Sequence, residues 1–312
     1  MTLDAPSLIG AVLSRDIDFI PPDAFELGKH MSDKSLKTLI EEQFESNSLQ
    51  LPVFNQVALE LQRMKHSDAV SMDDIAQVIM KDQSLASRIL RVANSSFYGG
   101  LNKVDTVSRA VVRLGMDRVT NLAMVASQLL AHSAKVKIIA DHLPDLWCRS
   151  FSCALGGRWL AEHSGNQGRA EEAFLAGLLH DIGELFLLKV LEKLAQEKEQ
   201  PLDLNEPLMM EILDAMHAQM GYRLMMKWEL PDSYARVARD HHADAVDEAD
   251  VLLVITRLMD MACHKLGIGQ PAEPEIVLAA TVEAQSLGLK DIKLAELEVM
   301  LEDAVAQARG LM

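Results

Sequence analysis

From residue 53 to about residue 268 the apolar side chains return every third or fourth position, and almost nowhere do they alternate. The stretch LPVFNQVALELQRM shows the pattern. Val53, Val57, Leu61 and Met64 fall on one face of a helix, and Pro52 stands where a helix can begin. β-Strands need alternating runs rich in β-branched and aromatic residues bounded by turns. Such runs are nearly absent here, and aromatics are only 4% of the chain. The fold class read from this pattern is all-α.

The spacing predicts five helices within 51–132. The second, SMDDIAQVIMKD, has Ser71 as its N-cap and acidic residues in its first turn. The third, SLASRILRVANSSFYGG, runs to the pair Gly99 and Gly100. TVSRAVVRLG and MDRVTNLAMVASQLL complete the unit. A second helical set begins near Pro144 with DLWCRSFSCALGGRWLAEHSG. It continues through AEEAFLAGLLHDIGELFLLKVLEKLAQE, PLMMEILDAMHAQMGYRLMMKW, PDSYARVARDHH and EADVLLVITRLMDMACHKLG. Beyond 270, two amphipathic helices are split at LGLKD. Met209, Met210, Met216, Met220, Met225 and Met226 read as core filler, since Met fits irregular gaps. Residues 1–47 form an N-terminal helical extension in which EEQFESNSLQ is a charged helix followed by a loop.

Composition narrows the function classes. With 312 residues, 49% of them hydrophobic, the chain can bury a sizeable core. No apolar run reaches the roughly 20 residues that span a bilayer, and the N-terminus has no basic lead or cleavage site, so a cytoplasmic protein without membrane contact is expected. Cys148, Cys153 and Cys263 form no CxxC pair or disulfide framework and read as reduced core residues. A net charge of -16 argues against DNA binding, which needs clustered cations. No P-loop, dinucleotide fingerprint or Ser-His-Asp set is present.

The groups left to carry chemistry are His180, Asp181, His217, His241, His242 and Asp260, spread over separate helices. Converging imidazoles and carboxylates suit zinc, iron or manganese, and such an ion acidifies bound water. A lone histidine on an apolar helix is more often a hydrogen-bonded core residue, and spacing alone does not separate the two.

Six blocks together resemble the HDOD domain, a regulatory relative of the HD-type metal-dependent phosphohydrolases. They are LPVFNQVALELQRM, KDQSLASRILRVANSSFYG, TVSRAVVRLGMDRVTNLAM, AFLAGLLHDIGELFLL, KWELPDSYARVARDHH and LMDMACHKLG, in that order, with RVANSSFYG and HDIG the most specific. The resemblance covers about 48–268 and implies a helical unit over 48–135 and an HD-hydrolase-like unit over 136–268; residues 1–47 and the helical tail over 269–312 lie outside it. It also implies a ligand set. In catalytic relatives a metal is held by an upstream His, the His-Asp pair and a distal Asp, and relatives with a second metal add histidines. His180 and Asp181 match the pair, Asp260 the distal Asp, and His217, His241 and His242 the additional histidines.

The upstream His is expected in LWCRS, and Arg149 stands there instead. Arginine stays protonated and offers only donors, so it cannot ligate a cation. Pointing inward, it can place its guanidinium between Asp181 and Asp260; at a helix start it can equally reach solvent. The ligand set is incomplete either way. No resident metal is therefore expected, the alternative being one divalent ion (Fe, Mn or Zn) on the remaining residues. A local basic field is a separate candidate: residues 81–118 hold seven Lys and Arg against three Asp. Arg88 with Arg91, and Arg109 with Arg113, fall at helical steps, and Arg118 follows. Such a field can receive an acidic protein partner, or form an ordinary solvated face.

The expectation is a cytoplasmic signalling module on a degenerate HD scaffold that binds a protein partner or small ligand. The alternative is a metal-dependent phosphohydrolase acting on a nucleotide or phosphoester.

Overall fold

The computed structural model describes residues 35–46, 55–65, 70–95, 103–197 and 201–312. Among them every regular element is helical. The expected helix start at Pro52, the stop at Gly99 and Gly100, and most of the N-terminal extension lie outside the described residues.

Helix α1 (Leu36–Glu45) lays Phe44 edge-on against Phe186, with ring centroids 5.8 Å apart. The next five helices are α2 (Gln56–Met64), α3 (Met72–Met80), α4 (Gln83–Ala93), α5 (Val107–Leu114) and α6 (Met116–Ala131), and they pack on one another. Their starts are fixed by side-chain caps. Asn55, Asp82 and Thr106 each accept a backbone N–H of the first turn, and Ser71 with Asp74 forms a reciprocal capping box. Helix α4 stops at Ala93, before the glycine pair. The Asn94 amide donates to Leu90 O and Val104 O and accepts from Val104 N, turning the chain away.

The second half is built around α7 (Lys137–His163), which starts earlier than expected and carries Pro144 inside it. Packed about it are α8 (Ala170–Leu179), α9 (Ile182–Ala195), α10 (Glu206–Lys227), α11 (Asp232–Asp240) and α12 (Val251–Leu266). The C-terminal segment adds α13 (Val282–Ser286) and α14 (Asp291–Leu311), divided near the expected LGLKD. Helix α14 lies along α7, where the Trp147 indole donates to Ala308 O at 2.9 Å. All three cysteines are buried and free. The methionine stripe divides: Met209, Met216, Met220 and Met225 are core, whereas Met210 and Met226 are 38% and 46% exposed because they lie about a third of a turn off that face.

One expected long helix is two. The chain breaks at His180–Asp181 between α8 and α9, and the carbonyls freed by the break find other donors. His180 Nδ1 donates to Gly177 O at 2.8 Å, and Gln128 on α6 donates to Leu178 O at 3.1 Å. The first half thus braces the turn that carries the His-Asp pair. Glycines then set the helix spacing. A methyl group on Gly177 would collide with Cys153 O of α7. One on Gly183 would collide with His217 O of α10 and come within 2.7 Å of Gly221 N. Only a residue without Cβ lets α9 begin this close to His217.

Gly183→Ala is therefore expected to destabilise the protein by roughly 3 kcal/mol or more, since neither backbone can yield without moving a helix. Gly168→Ala, where a methyl group meets nothing within 4 Å, is the control and is expected to melt like the wild type in urea. Equal midpoints for the two variants would contradict this account of the α9–α10 spacing.

Candidate functional site

The break between α8 and α9 aims two carboxylates inward. Asp181 occupies the N-cap position of α9 and Glu184 lies in its first turn, where helix geometry favours negative charge. Asp181 does not cap the helix with its side chain. Its two oxygens serve two different neighbourhoods.

On the Oδ2 side stands Arg149, 6% exposed, reaching in from α7. Its Nε donates to Asp181 Oδ2 at 2.7 Å and its Nη2 to Glu184 Oε1 at 2.6 Å, while Nη1 lies 3.5 Å from Gly269 O. The sequence expectation placed the guanidinium between Asp181 and Asp260. Asp181 is a partner as expected, but the second carboxylate is Glu184, and Asp260 is outside ion-pair distance. Burial alone would lower the guanidinium pKa, yet Glu184, Asp181 and Asp260 hold it well above its ordinary value. Against the penalty of burial, His180 and Arg149 in turn hold Asp181 well below the usual carboxylate range, and Arg149 lowers Glu184 from its ordinary value.

On the Oδ1 side the histidines converge. His241 Nε2 lies 3.3 Å and His217 Nε2 3.8 Å from Asp181 Oδ1, and the two Nε2 atoms are 3.4 Å apart. Each ring hydrogen-bonds its own helix through Nδ1, His217 to Leu213 O and His241 to Ala238 O. A carbonyl accepts only from N–H, so both Nδ1 atoms carry hydrogen, and a ring in its neutral form turns an Nε2 lone pair to the centre. Two lone pairs and a carboxylate oxygen face one another, an arrangement that calls for a proton or a cation between them. Asp181, His217, His241 and His242 each offer a ligand atom, all within 4.8 Å of one another.

His180, fully buried, has Nε2 3.1 Å from Asp181 Oδ2 and 4.0 Å from Asp260 Oδ1. Burial opposes its charged form, but Asp181 and Asp260 raise its pKa from 6.5 to about 9. Asp260 on α12 is also approached by His242 Nδ1 at 3.9 Å and His264 Nε2 at 3.7 Å.

The donor set decides which ion the residues fit. An ion at the His180–Asp181–Asp260 position of the hydrolase pattern does not fit, because Arg149 occupies Asp181 Oδ2 and brings a positive charge. A single divalent ion on the Oδ1 side, held by Asp181, His217, His241 and His242, does fit, with Nδ1–H bonds orienting the His217 and His241 rings as ligating histidines require.

Glu184, His142 and His264 were missed in the sequence. His142 Nε2 lies 3.6 Å from Glu184 Oε2. Each was signalled by helical spacing: Glu184 is three residues after Asp181, His142 seven before Arg149, and His264 four after Asp260. The basic field also needs correction. Arg118, its side chain 47% exposed, pairs with Glu171 of α8 at 2.9 Å and so is engaged at the contact between the two halves. Arg109 pairs with Asp105 at 2.7 Å, and Arg113 Nη2 donates to Ala93 O at 2.9 Å. Arg91 is exposed on α4 and Arg88 half-buried.

With chelator present, the His180 charge adds stability fully below pH 6.5, and that stability is lost as the pH rises through about 9. The lowered carboxylates Asp181 and Glu184 act oppositely, adding stability above their ordinary pKa of about 4 and losing it on acidification. Metal-free protein is expected to lose roughly 3 kcal/mol between pH 6.5 and 9.5, and His180→Gln to flatten that slope. A wild-type profile unchanged in the variant would show that His180 is neutral.

A family profile for the HDOD domain matches residues 51–244. A crystal structure of an HDOD domain protein with unknown function from Geobacter sulfurreducens superposes with TM-score 0.67 at 20% identity, covering 88% of this chain and 97% of that one. A Marinobacter aquaeolei VT8 structure, provisionally named a signal transduction protein, gives 0.62 at 23% identity over 88% and 64%. One from Shewanella amazonensis SB2B, provisionally named a metal-dependent phosphohydrolase, gives 0.58 at 16% over 85% and 98%. These likenesses carry the fold alone. An uncharacterized Treponema pallidum (strain Nichols) protein is 26% identical over 201 residues, 62% of this chain but only 37% of that relative's length. The profile spans more than half of the sequence and includes the HDIG turn, and the chain belongs to the HDOD domain family.

Proposed function

We propose that the chain is a regulatory module that uses a hydrolase-type scaffold to bind a protein partner or small ligand rather than to turn over a substrate. One observation carries this reading: the Arg149 guanidinium sits on Asp181 Oδ2 and Glu184, where a hydrolase of this pattern needs a cation with open coordination positions. An arginine supplies the charge and no site for water, so it gives structure without an activated nucleophile. The signal-transduction name of one structural neighbour is in keeping with such a role.

The partner surface proposed here is the remaining basic field on α4 and α5, with Arg88, Arg91, Arg109 and Arg113. A surface cleft of about 420 Å³ opens there, lined by Lys103, Val104, Ser108, Arg109, Val112 and Arg113. Cations around an apolar floor suit an acidic protein surface in a chain that is otherwise strongly acidic. No helix among the described residues is long and apolar enough to cross a membrane.

The converging lone pairs of His217 and His241 favour a second reading, a metal-dependent phosphohydrolase. Asp181, His217, His241 and His242 would hold a zinc-, iron- or manganese-class ion, whose chemistry is to lower the pKa of bound water. Assaying purified protein with added manganese, iron and zinc against generic phosphoesters separates the two. The regulatory reading predicts no turnover above background; turnover abolished by His217→Ala would replace it with the hydrolase reading.

Arg149→Ala leaves Asp181 and Glu184 buried without their shared counter-charge. Its expected cost is about 3 to 5 kcal/mol at neutral pH, and less at a pH that protonates one of them. Arg149→His removes the fixed charge and adds a ligand. It is expected to melt below the wild type in chelator and to recover with manganese, iron or zinc by mass action on the folded state. Wild-type melting of both variants in chelator would remove the physical basis of this reading.

A further inference from the structure

The carbonyls at the end of α11 converge on one side chain. Arg257, on the α12 face that also carries Asp260, points Nη1 at Ala243 O (2.6 Å), His241 O (3.1 Å) and Asp240 O (3.4 Å). These carbonyls belong to the turn that carries His241 and His242. The same guanidinium donates from Nε to Glu283 Oε1 at 2.7 Å. Glu283 is 4% exposed and belongs to α13, a short helix capped by Thr281. A single arginine therefore joins the histidine turn to the C-terminal segment, which lies outside the matched stretch 51–244.

Two further contacts bring that segment against the site. Leaving α12, the chain passes over α7 at Gly269, whose φ of +71° and lack of Cβ are both required. A methyl group there would collide with Asp145 O and stand 3.0 Å from Arg149 Cβ. Beyond it, α14 accepts the Trp147 indole N–H at Ala308 O, two residues before Arg149. Lys265 at the end of α12 reaches Glu298 of α14 at 2.5 Å. The segment after 268 thus touches α7, which carries Arg149, and α12, which carries Asp260 and Arg257.

We propose that Arg257 is a positioning residue through which Glu283, and with it the C-terminal segment, sets the placement of the His241–His242 turn, so that displacing this segment loosens the histidine cluster. Its regulatory purpose rests on the reading above, whereas the linkage rests on the contacts alone. Charged hydrogen bonds to buried carbonyls are among the stronger ones, and a guanidinium loses its aim when its orienting carboxylate is lost.

The test uses the full chain without added metal and three proteins: wild type, Glu283→Gln and Arg257→Lys. Hydrogen exchange is read at the His241 and Ala243 amides, which are bonded to Val237 O and Asp240 O. Carbethoxylation is read at His241, which is 3% exposed. Glu283 acts on the α11 turn through Arg257, and Glu283→Gln is expected to speed exchange at both amides about tenfold and to make His241 reactive. Arg257→Lys keeps a charge for Glu283, but its single ammonium in place of Nε and Nη1 cannot hold Glu283 and the carbonyls together. It is expected to loosen 240–243 while leaving 281–287 protected. Wild-type exchange across α8 serves as the check that the fold is intact. Exchange that changes only within 281–287 in Glu283→Gln, or stays at wild-type rates over 240–243 in Arg257→Lys, would overturn the linkage. Phosphoester turnover by the wild type would sink the regulatory reading and leave the linkage standing.

Discussion

Taking a guanidinium out of water is costly, and the second half of this protein is arranged so that two carboxylates on one helical turn offset that cost together. Asp181 and Glu184 come from consecutive positions on the inward face of α9, and Arg149 holds one with Nε and the other with Nη2. Arg149 favours the ionised form of both acids, with His180 beside it at Asp181, and the acids in turn offset the burial of the arginine. Much of the local structure follows. The break after Leu179 puts Asp181 at a helix start, Gln128 stabilises the broken end from the other half, and Gly183 brings the turn up to His217.

The ion pair also gives the two sides of Asp181 different characters. Oδ2 is committed to a permanent cation that has no coordination chemistry. Oδ1 faces two imidazoles whose Nδ1–H groups are tied to backbone carbonyls, so that side keeps the preference for a proton or an ion. His180 stands between the two, drawn to its charged form by the surrounding carboxylates. On the regulatory reading proposed above, such a site holds a fixed charge where a hydrolase of this pattern would activate water.

Much of the fold was legible because helical spacing and caps are local. Ser71 with Asp74 announces α3, and the apolar rhythm of α2 to α6 needs no knowledge of their neighbours. The errors came where tertiary contacts decide. Pro144 reads as a helix start, yet it lies within α7, which begins at Lys137. AEEAFLAGLLHDIGELFLLKVLEKLAQE reads as one helix because its apolar content never lapses, and only packing against α6 and α10 reveals the break. At the site, the arginine and its aspartate could be inferred from the missing ligand, and the family resemblance supplied the remaining positions. Glu184 was hidden behind the expectation that Asp260 would be the second partner, although its three-residue step from Asp181 places it on the same face. Arg118 looked like part of a basic surface because nothing in the sequence shows that Glu171 lies opposite.

The central claim is that Arg149 stands in for a metal at Asp181 Oδ2. Anomalous diffraction from wild-type crystals soaked in manganese or zinc tests it most directly. The account predicts no anomalous peak among His180, Asp181 Oδ2 and Asp260, with the Arg149 guanidinium still on Asp181 and Glu184. A metal peak at that position, with Arg149 swung away from both carboxylates, would contradict it.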